Sequence, residues 1–112
     1  KIDLYSILKN IKKNNNKIYG IGAPARASTL INFVGLDENI IDYVVEIDGS
    51  KKIGNYMPGT KIPIFPEKRL LIDQPKYAVI FSWHIAAELK SKLKKRGYKG
   101  KFIVPLPTPY II

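Results

Sequence analysis

The chain has no cysteine among its 112 residues. A disulfide framework and a thiolate-based metal site are therefore excluded. No apolar run approaches the roughly 20 residues that a membrane-spanning helix needs, and nothing at the start reads as a signal peptide. These absences predict a soluble, cytoplasmic domain with no membrane partner. Histidine occurs once, at His84, so no second imidazole stands by to complete a metal site or a triad. Acidic residues are scarce, nine against nineteen Lys and Arg. No internal repeat or low-complexity stretch divides the chain. It opens on Lys1 rather than methionine, which fits a piece of a longer protein.

The length suits one domain, since single domains most often run to roughly 100–150 residues. Hydrophobic residues make up 46%, enough for a core without staples. The formal net charge of +10 admits three readings. A nucleic-acid binder would gather Lys and Arg on one face among stacking aromatics. A binder of small anions needs only one or two cations at a cleft. The third reading is a lysine-rich solvated surface. The basic residues fall on the polar faces of two predicted helices, around Lys9 to Lys17 and Lys90 to Lys101. That pattern favours the solvated surface and argues against a nucleic-acid partner. The charge still draws anions over distance.

Asp3 is a good N-cap, and Leu4, Ile7, Leu8 and Ile11 repeat behind it at helical spacing. Asn14 to Asn16 end that helix. Residues 17–21 read as a buried strand stopped by glycine. Pro24 can open a second helix, with Leu30, Ile31 and Val34 on its apolar face and Gly35 as its stop. Residues 41–47 form the next strand, followed by turn chemistry at Asp48, Gly49 and Ser50. Met57-Pro58-Gly59-Thr60 is a second turn. Residues 62–65 read as an edge strand, because Pro63 lacks an N–H for a ladder. Pro66 then opens a short helix to about Ile72. Residues 77–81 are the most apolar strand and should be central, next to the strand at Ile18. Ile85, Ala86, Leu89 and Leu93 mark a long helix closed by Gly97. Phe102 to Val104 are the last strand, and Pro105, Pro107 and Pro109 stiffen an extended tail. Short apolar strands alternating with helices predict a mostly parallel sheet of about five strands, covered on both faces. The expected architecture is a single Rossmann-like three-layer α/β/α domain over residues 1–112.

Gly20-Ile21-Gly22-Ala23-Pro24-Ala25 lies between the first strand and the second helix and fits the pattern G-x-G-x-x-A. Small residues there let backbone N–H groups approach phosphate, and a helix N-terminus adds a positive dipole. Glu46 and Asp48, at the end of the second strand, are placed to hold ribose hydroxyls. These features support an NAD- or CoA-binding domain; the other reading is a tight strand-to-helix turn that binds nothing. Pro24 removes one N–H from the cradle. Arg26 could clamp a phosphate with its forked guanidinium, or rest on the surface near Glu46 or Asp48. Ser28 adds a hydroxyl. Ser82-Trp83-His84 follows the central strand, at the carboxyl edge where parallel sheets bind ligands. Trp83 could stack on a base or sugar, or pack between layers. His84 could act on a ligand or cap a helix. No cluster of Cys, His or carboxylates makes a self-sufficient catalytic or metal site.

Three stretches resemble the C-terminal domain of the SAM-dependent C-methyltransferases that act on nucleotide-linked deoxysugars. The first runs from Tyr19 to Asn32. The second runs from Ile41 to Glu46 and continues through Lys52, Gly54, Tyr56 and Pro58-Gly59-Thr60 to Ile64. The third joins Ser82-Trp83-His84 to Lys101 through Pro107. The resemblance implies a zinc-binding segment and a SAM-binding domain upstream, outside this chain. It places a nucleotide-linked sugar, of dTDP type, between that upstream domain and this one. The sugar-nucleotide surface would then draw on Gly22, Ala23, Pro24, Ala25, Arg26, Ser28, Glu46, Asp48, Tyr56, Pro58, Gly59, Trp83 and His84. In the whole enzyme a base would remove a proton beside a keto group, and the enolate would take the SAM methyl. The resemblance assigns no catalytic residue, cofactor or metal to this chain, and implies that alone it is inactive. Where the family has lysine then glycine, this chain has Arg26 and Ala27; Arg keeps the charge and changes the geometry. Glu46 stands for a usual aspartate, and His84 for a usual asparagine.

Overall fold

The computed structural model describes residues 3–22, 30–32, 34–46, 50–105 and 109–112. Helix α1 spans Leu4–Lys13 and is capped as its sequence predicts: the Ser6 N–H donates to Asp3 Oδ1 at 2.8 Å. Leu4, Leu8 and Ile11 are its buried stripe, and Lys12 and Lys13 lie in its last turn, where cations suit the helix dipole. Strand β1, Ile18–Ile21, is buried at all four residues, the signature of a strand covered on both faces. The helix expected from Pro24 is described only at residues 30–32 and 34. It ends on Gly35 at φ +82°, with the Gly35 and Leu36 N–H groups closing on the Ile31 carbonyl at 3.0 and 2.9 Å. The expected turn at Asp48 and Gly49 lies outside the described residues.

Strands β2, Tyr43–Glu46, and β3, Ile64–Pro66, come next, then helix α2, Lys68–Asp73, and strand β4, Tyr77–Ile80. A 3-10 turn over Trp83–Ile85 leads into helix α3, Ala86–Lys95, and strands β5, Lys101–Val104, and β6, Tyr110–Ile111, follow. The sheet order is β3-β2-β1-β4-β5-β6, the order of doubly wound dinucleotide-binding sheets and compatible with a Rossmann-like fold. All pairs are parallel except β5 with β6. As predicted, β1 and β4 are central neighbours, with Ile18 opposite Tyr77, and β3 is at an edge.

Two expectations need correction. The sheet has six strands rather than five, because the proline-bearing tail folds back beside β5. Phe102 and Ile112 exchange N–H···O bonds of 3.1 and 2.8 Å. A two-residue strand is too short to leave an alternation in the sequence. Pro66 does not open a helix; it is the last residue of β3, opposite Glu46. The Glu67 N–H continues the ladder onto the Glu46 carbonyl at 2.7 Å, so α2 begins only at Lys68.

Alternation along the strands divides the core in two. Ile18, Val44, Ile64, Val79 and Ile103 pack with α1, Ile31, Leu36 and Ile40. Tyr19, Ile21, Val45, Ala78, Ile80, Phe102 and Val104 pack with Leu70 of α2 and Ala86 and Leu93 of α3. The amino edge is tied by Asp42, whose carboxylate accepts from the Ile18 N–H at 2.9 Å and from Lys12 Nζ at 2.9 and 3.1 Å.

Candidate functional site

The chain leaves β1 at Gly22, whose N–H still bonds the Val45 carbonyl at 2.9 Å while its φ of +84° turns the backbone out of the sheet. Only glycine takes that conformation cheaply. Ala23, Pro24, Ala25, Arg26 and Ser28 lie outside the described residues, as does Asp48. On the neighbouring strand the Phe81 N–H bonds the Ile21 carbonyl at 3.1 Å, after which Ser82 leads into the Trp83–Ile85 turn. The two departing chains go to opposite faces: Ile31 joins the core around α1, and Ala86 joins the core around α3. The carboxyl ends of β1 and β4 therefore flank a topological switch point, where such sheets open a crevice for ligands. Glu46 ends β2 on the other side of Gly22. Its carboxylate is half-exposed and makes no hydrogen bond or ion pair among the described residues.

This edge thus gathers Gly22, Glu46, Trp83 and His84. The β2 and β4 ends lie two strand spacings apart, about 10 Å, a width suited to a sugar or a phosphate group. Trp83 is half-buried and packs against the core on the α3 face. His84 is exposed and does not cap α3, whose N-cap position is Ile85.

Tyr56, Pro58 and Gly59, expected on the same edge, are at the opposite end. Residues 54–57 run antiparallel to residues 62–64, with the Met57 N–H on the Ile62 carbonyl at 2.9 Å and Tyr56 bridged to Pro63. Because β3 is parallel to β2 and Val44 lies opposite Ile64, this hairpin points its turn past the amino end of β2. From Pro66 back to Thr60 is about 20 Å of extended chain. The turn itself is as read from the sequence: the Thr60 N–H closes on the Met57 carbonyl at 3.0 Å, with Gly59 at φ +78°.

Gly20, the first glycine of the apparent fingerprint, has a packing role that the sequence did not disclose. A Cβ there would stand 2.3 Å from Cε2 of Phe81 and 3.1 Å from Cγ2 of Val44. Gly20 thus makes room for a buried ring in the sheet interior, and lends no support to a dinucleotide. Two polar clusters were also missed. The Tyr19 hydroxyl donates to Asp73, which also accepts from Arg69 Nε at 3.2 Å. The Arg69 guanidinium lies 4.5 Å from the centre of the Phe65 ring. Burial and the Asp73 carboxylate push the Tyr19 phenol well above its ordinary range. Glu67, 4% exposed, pairs with Arg96 and has Lys92 Nζ at 3.8 Å. Tyrosine and glutamate on apolar elements gave no sign of these long-range partners.

Among the described residues, no group of three or more His, Asp or Glu is placed to hold a metal ion, and no helix is long and apolar enough to cross a membrane. The lysines of α1 and α3 lie on opposite sides of the sheet.

Residues 1–107 match the C-methyltransferase C-terminal domain family. The chain belongs to that family. It is also similar to the C-methyltransferase NovU of Streptomyces niveus, at 28% identity over 109 residues. The match covers 95% of this chain and 25% of that protein, so the chain spans about a quarter of its relative's length.

Proposed function

We propose that this domain recognises the nucleotide-linked sugar of a SAM-dependent sugar C-methyltransferase, with methyl transfer carried by an upstream domain. The observation that carries the reading is the switch-point edge, where Gly22, Glu46, Trp83 and His84 converge in a member of this family. Gly22 and the residues after it, with Arg26 and Ser28, meet the diphosphate. Glu46, with Asp48, takes hydroxyl groups of the ribose or sugar. Trp83 and His84 close the far wall.

The direction of α1 adds support. Its last turn lies at the amino edge, where Lys12 reaches Asp42 at 2.9 Å. The ten-residue helix runs back along the sheet for about 15 Å, so its first turn lies toward the carboxyl edge. A preceding methyltransferase domain would therefore arrive on the side that holds the candidate site. Closing the cleft against that domain would exclude water from carbanion chemistry. Zinc and SAM belong to the upstream part: this chain has no cysteine and a single histidine, a poor donor set for a structural zinc.

The test uses the full protein that contains this chain. Arg26→Ala should raise the sugar-nucleotide KM about ten- to hundredfold, the worth of a charge-assisted phosphate contact. SAM affinity measured by calorimetry should stay unchanged. Lys94→Ala, on the exposed face of α3, is the control and should do little. Equal effects of the two substitutions would remove Arg26 from the site.

A further inference from the structure

Lysines that are far apart along the chain converge at the amino end of the sheet. Strands β1, β4 and β5 are neighbours, with Ile18 opposite Tyr77 and Tyr77 opposite Lys101. Lys17, Lys76 and Lys101 therefore stand at the starts of three adjacent strands, which lie about 5 Å apart. All three are exposed. Lys99 joins them, its N–H held by Gln74 Oε1 at 2.9 Å, and so does Lys94, whose Nζ donates to the Gly100 carbonyl at 3.4 Å. Lys13, in the last turn of α1, flanks the row on the other face of the sheet. The acids that border this row are engaged. Asp42 holds Lys12 and the Ile18 N–H, and Asp73 holds the Tyr19 hydroxyl and Arg69. Asp37 and Glu38 lie with the Gly59–Lys61 turn on the β3 side. The sequence has no acid between Asp3 and Asp37 and none after Glu88.

Lysines in the last turns of α1 and α3 suit the helix dipoles. A row along strand starts has no such reason, and like charges so placed repel one another. The proposed ligand site does not use it either, since that site and the first turn of α1 lie toward the carboxyl edge. The chemistry of the row points to its partner. Its members are lysines, point charges on flexible stems, and the nearby arginines are already paired, Arg69 with Asp73 and Arg96 with Glu67. The large exposed apolar residue at this end is Ile72, 69% exposed near the end of α2, and no exposed aromatic among the described residues stands in the row for a base to stack on. With α1 and α3 on opposite faces, the charges spread over a broad end and do not line a groove. Dispersed lysines beside an exposed isoleucine suit the headgroup boundary of a bilayer. We propose that this end of the domain docks onto an anionic lipid surface. The contact is peripheral and reversible and needs no spanning helix. It departs from the expectation of no membrane partner, which rested on the lack of a spanning run.

The experiment uses the full protein and vesicles of phosphatidylcholine with or without phosphatidylglycerol, read by co-sedimentation. The protein should bind the anionic vesicles, leave them as salt rises, and ignore the neutral ones. One lysine near an anionic surface changes partition about fivefold, so Lys17→Gln, Lys76→Gln and Lys101→Gln together should weaken binding about a hundredfold. Lys51→Gln, Lys52→Gln and Lys68→Gln remove the same charge from exposed positions away from the row and should weaken it less than about fivefold. Equal losses in the two triple variants would overturn the docking face. So would equal binding to neutral and anionic vesicles, or a wild-type protein that binds neither. Tighter binding of duplex DNA than of anionic vesicles at the same salt would overturn the lipid assignment in favour of a nucleic acid. No sugar nucleotide enters the test, so its outcome is separate from the nucleotide-sugar reading.

Discussion

Substituting Gly20 separates a packing glycine from a ligand glycine. In Gly20→Ala the new methyl would stand 2.3 and 2.9 Å from two carbons of the Phe81 ring and 3.1 Å from a Val44 methyl. Phe81 is 1% exposed and Val44 fully buried, so neither can swing into solvent. The ring or the strand must shift. Overpacking of this kind costs about 1–3 kcal/mol. For a domain of this size that is a large share of a total stability of roughly 5–15 kcal/mol, and it should lower Tm by roughly 5–15 °C. The assay is urea unfolding, where the midpoint should fall with the slope unchanged. Phe81→Leu alone should cost on the order of 1–2 kcal/mol for lost buried surface. Combined with Gly20→Ala it should restore room, so that the double variant is more stable than the sum of the two losses by about 1 kcal/mol or more. Gly22→Ala should behave differently. Its cost, about 1–2 kcal/mol, comes from a left-handed backbone, and Phe81→Leu should not relieve it. Strict additivity between Gly20→Ala and Phe81→Leu would refute the argument.

The Asp73 carboxyl is held below its ordinary value chiefly by the Tyr19 hydroxyl, with Arg69 beside it. A depressed folded-state pKa contributes stability above the unfolded value near 3.8 that is lost as pH falls through the folded value. Asp73→Asn should therefore flatten acid unfolding below about pH 4 when followed by circular dichroism, and an unaltered acid limb would count against the coupling. Tyr19 and Tyr98 are raised above the ordinary 10.0, each mainly by burial. Their contribution should fade as pH rises past 10, and Tyr19→Phe should lose about 1 kcal/mol at neutral pH while reducing that alkaline loss. Arg96→Ala should destabilise by about 1–3 kcal/mol, because among the described residues it leaves buried Glu67 with Lys92 at 3.8 Å as its remaining cation. Adding Glu67→Gln should recover part of the loss; a further full loss would show that the pair is not what matters.

Much of the fold was legible because its signals are local. The Asp3 cap, the apolar runs at Ile18 and Tyr77, the glycine at position 35 and the Pro58–Gly59 turn each state their own geometry within a few residues. The edge position of β3 followed from Pro63 alone. What the sequence hid are relations between distant residues. Nothing near Gly20 names Phe81, and nothing near Glu67 names Arg96. The two residues of β6 are a strand only because β5 is there to receive them. Pro66 reads as a helix opener by its own chemistry, and the Glu46 carbonyl overrides that preference by holding Glu67 in the ladder.

The misplacement of Tyr56, Pro58 and Gly59 is of the same kind and has a consequence for the site. A stretch that resembles the family reflects whatever the fold demands as well as what a ligand demands. Here the hairpin register carries Pro58-Gly59 past the amino end of β2, while Glu46 ends the same strand at the carboxyl edge. A single small ligand does not bridge a span of about 20 Å of extended chain. The Gly59 requirement is also accounted for without a ligand, by its positive φ and by Asn32 pressed against it. The carboxyl edge keeps two features that packing leaves unexplained: a glycine turned out of the sheet at a switch point, and a half-exposed Glu46 carboxylate without a partner among the described residues. The proposed recognition surface is therefore drawn around Gly22, Glu46 and the Trp83–His84 turn, and the Pro58–Gly59 turn is accounted for by its contact with Asn32.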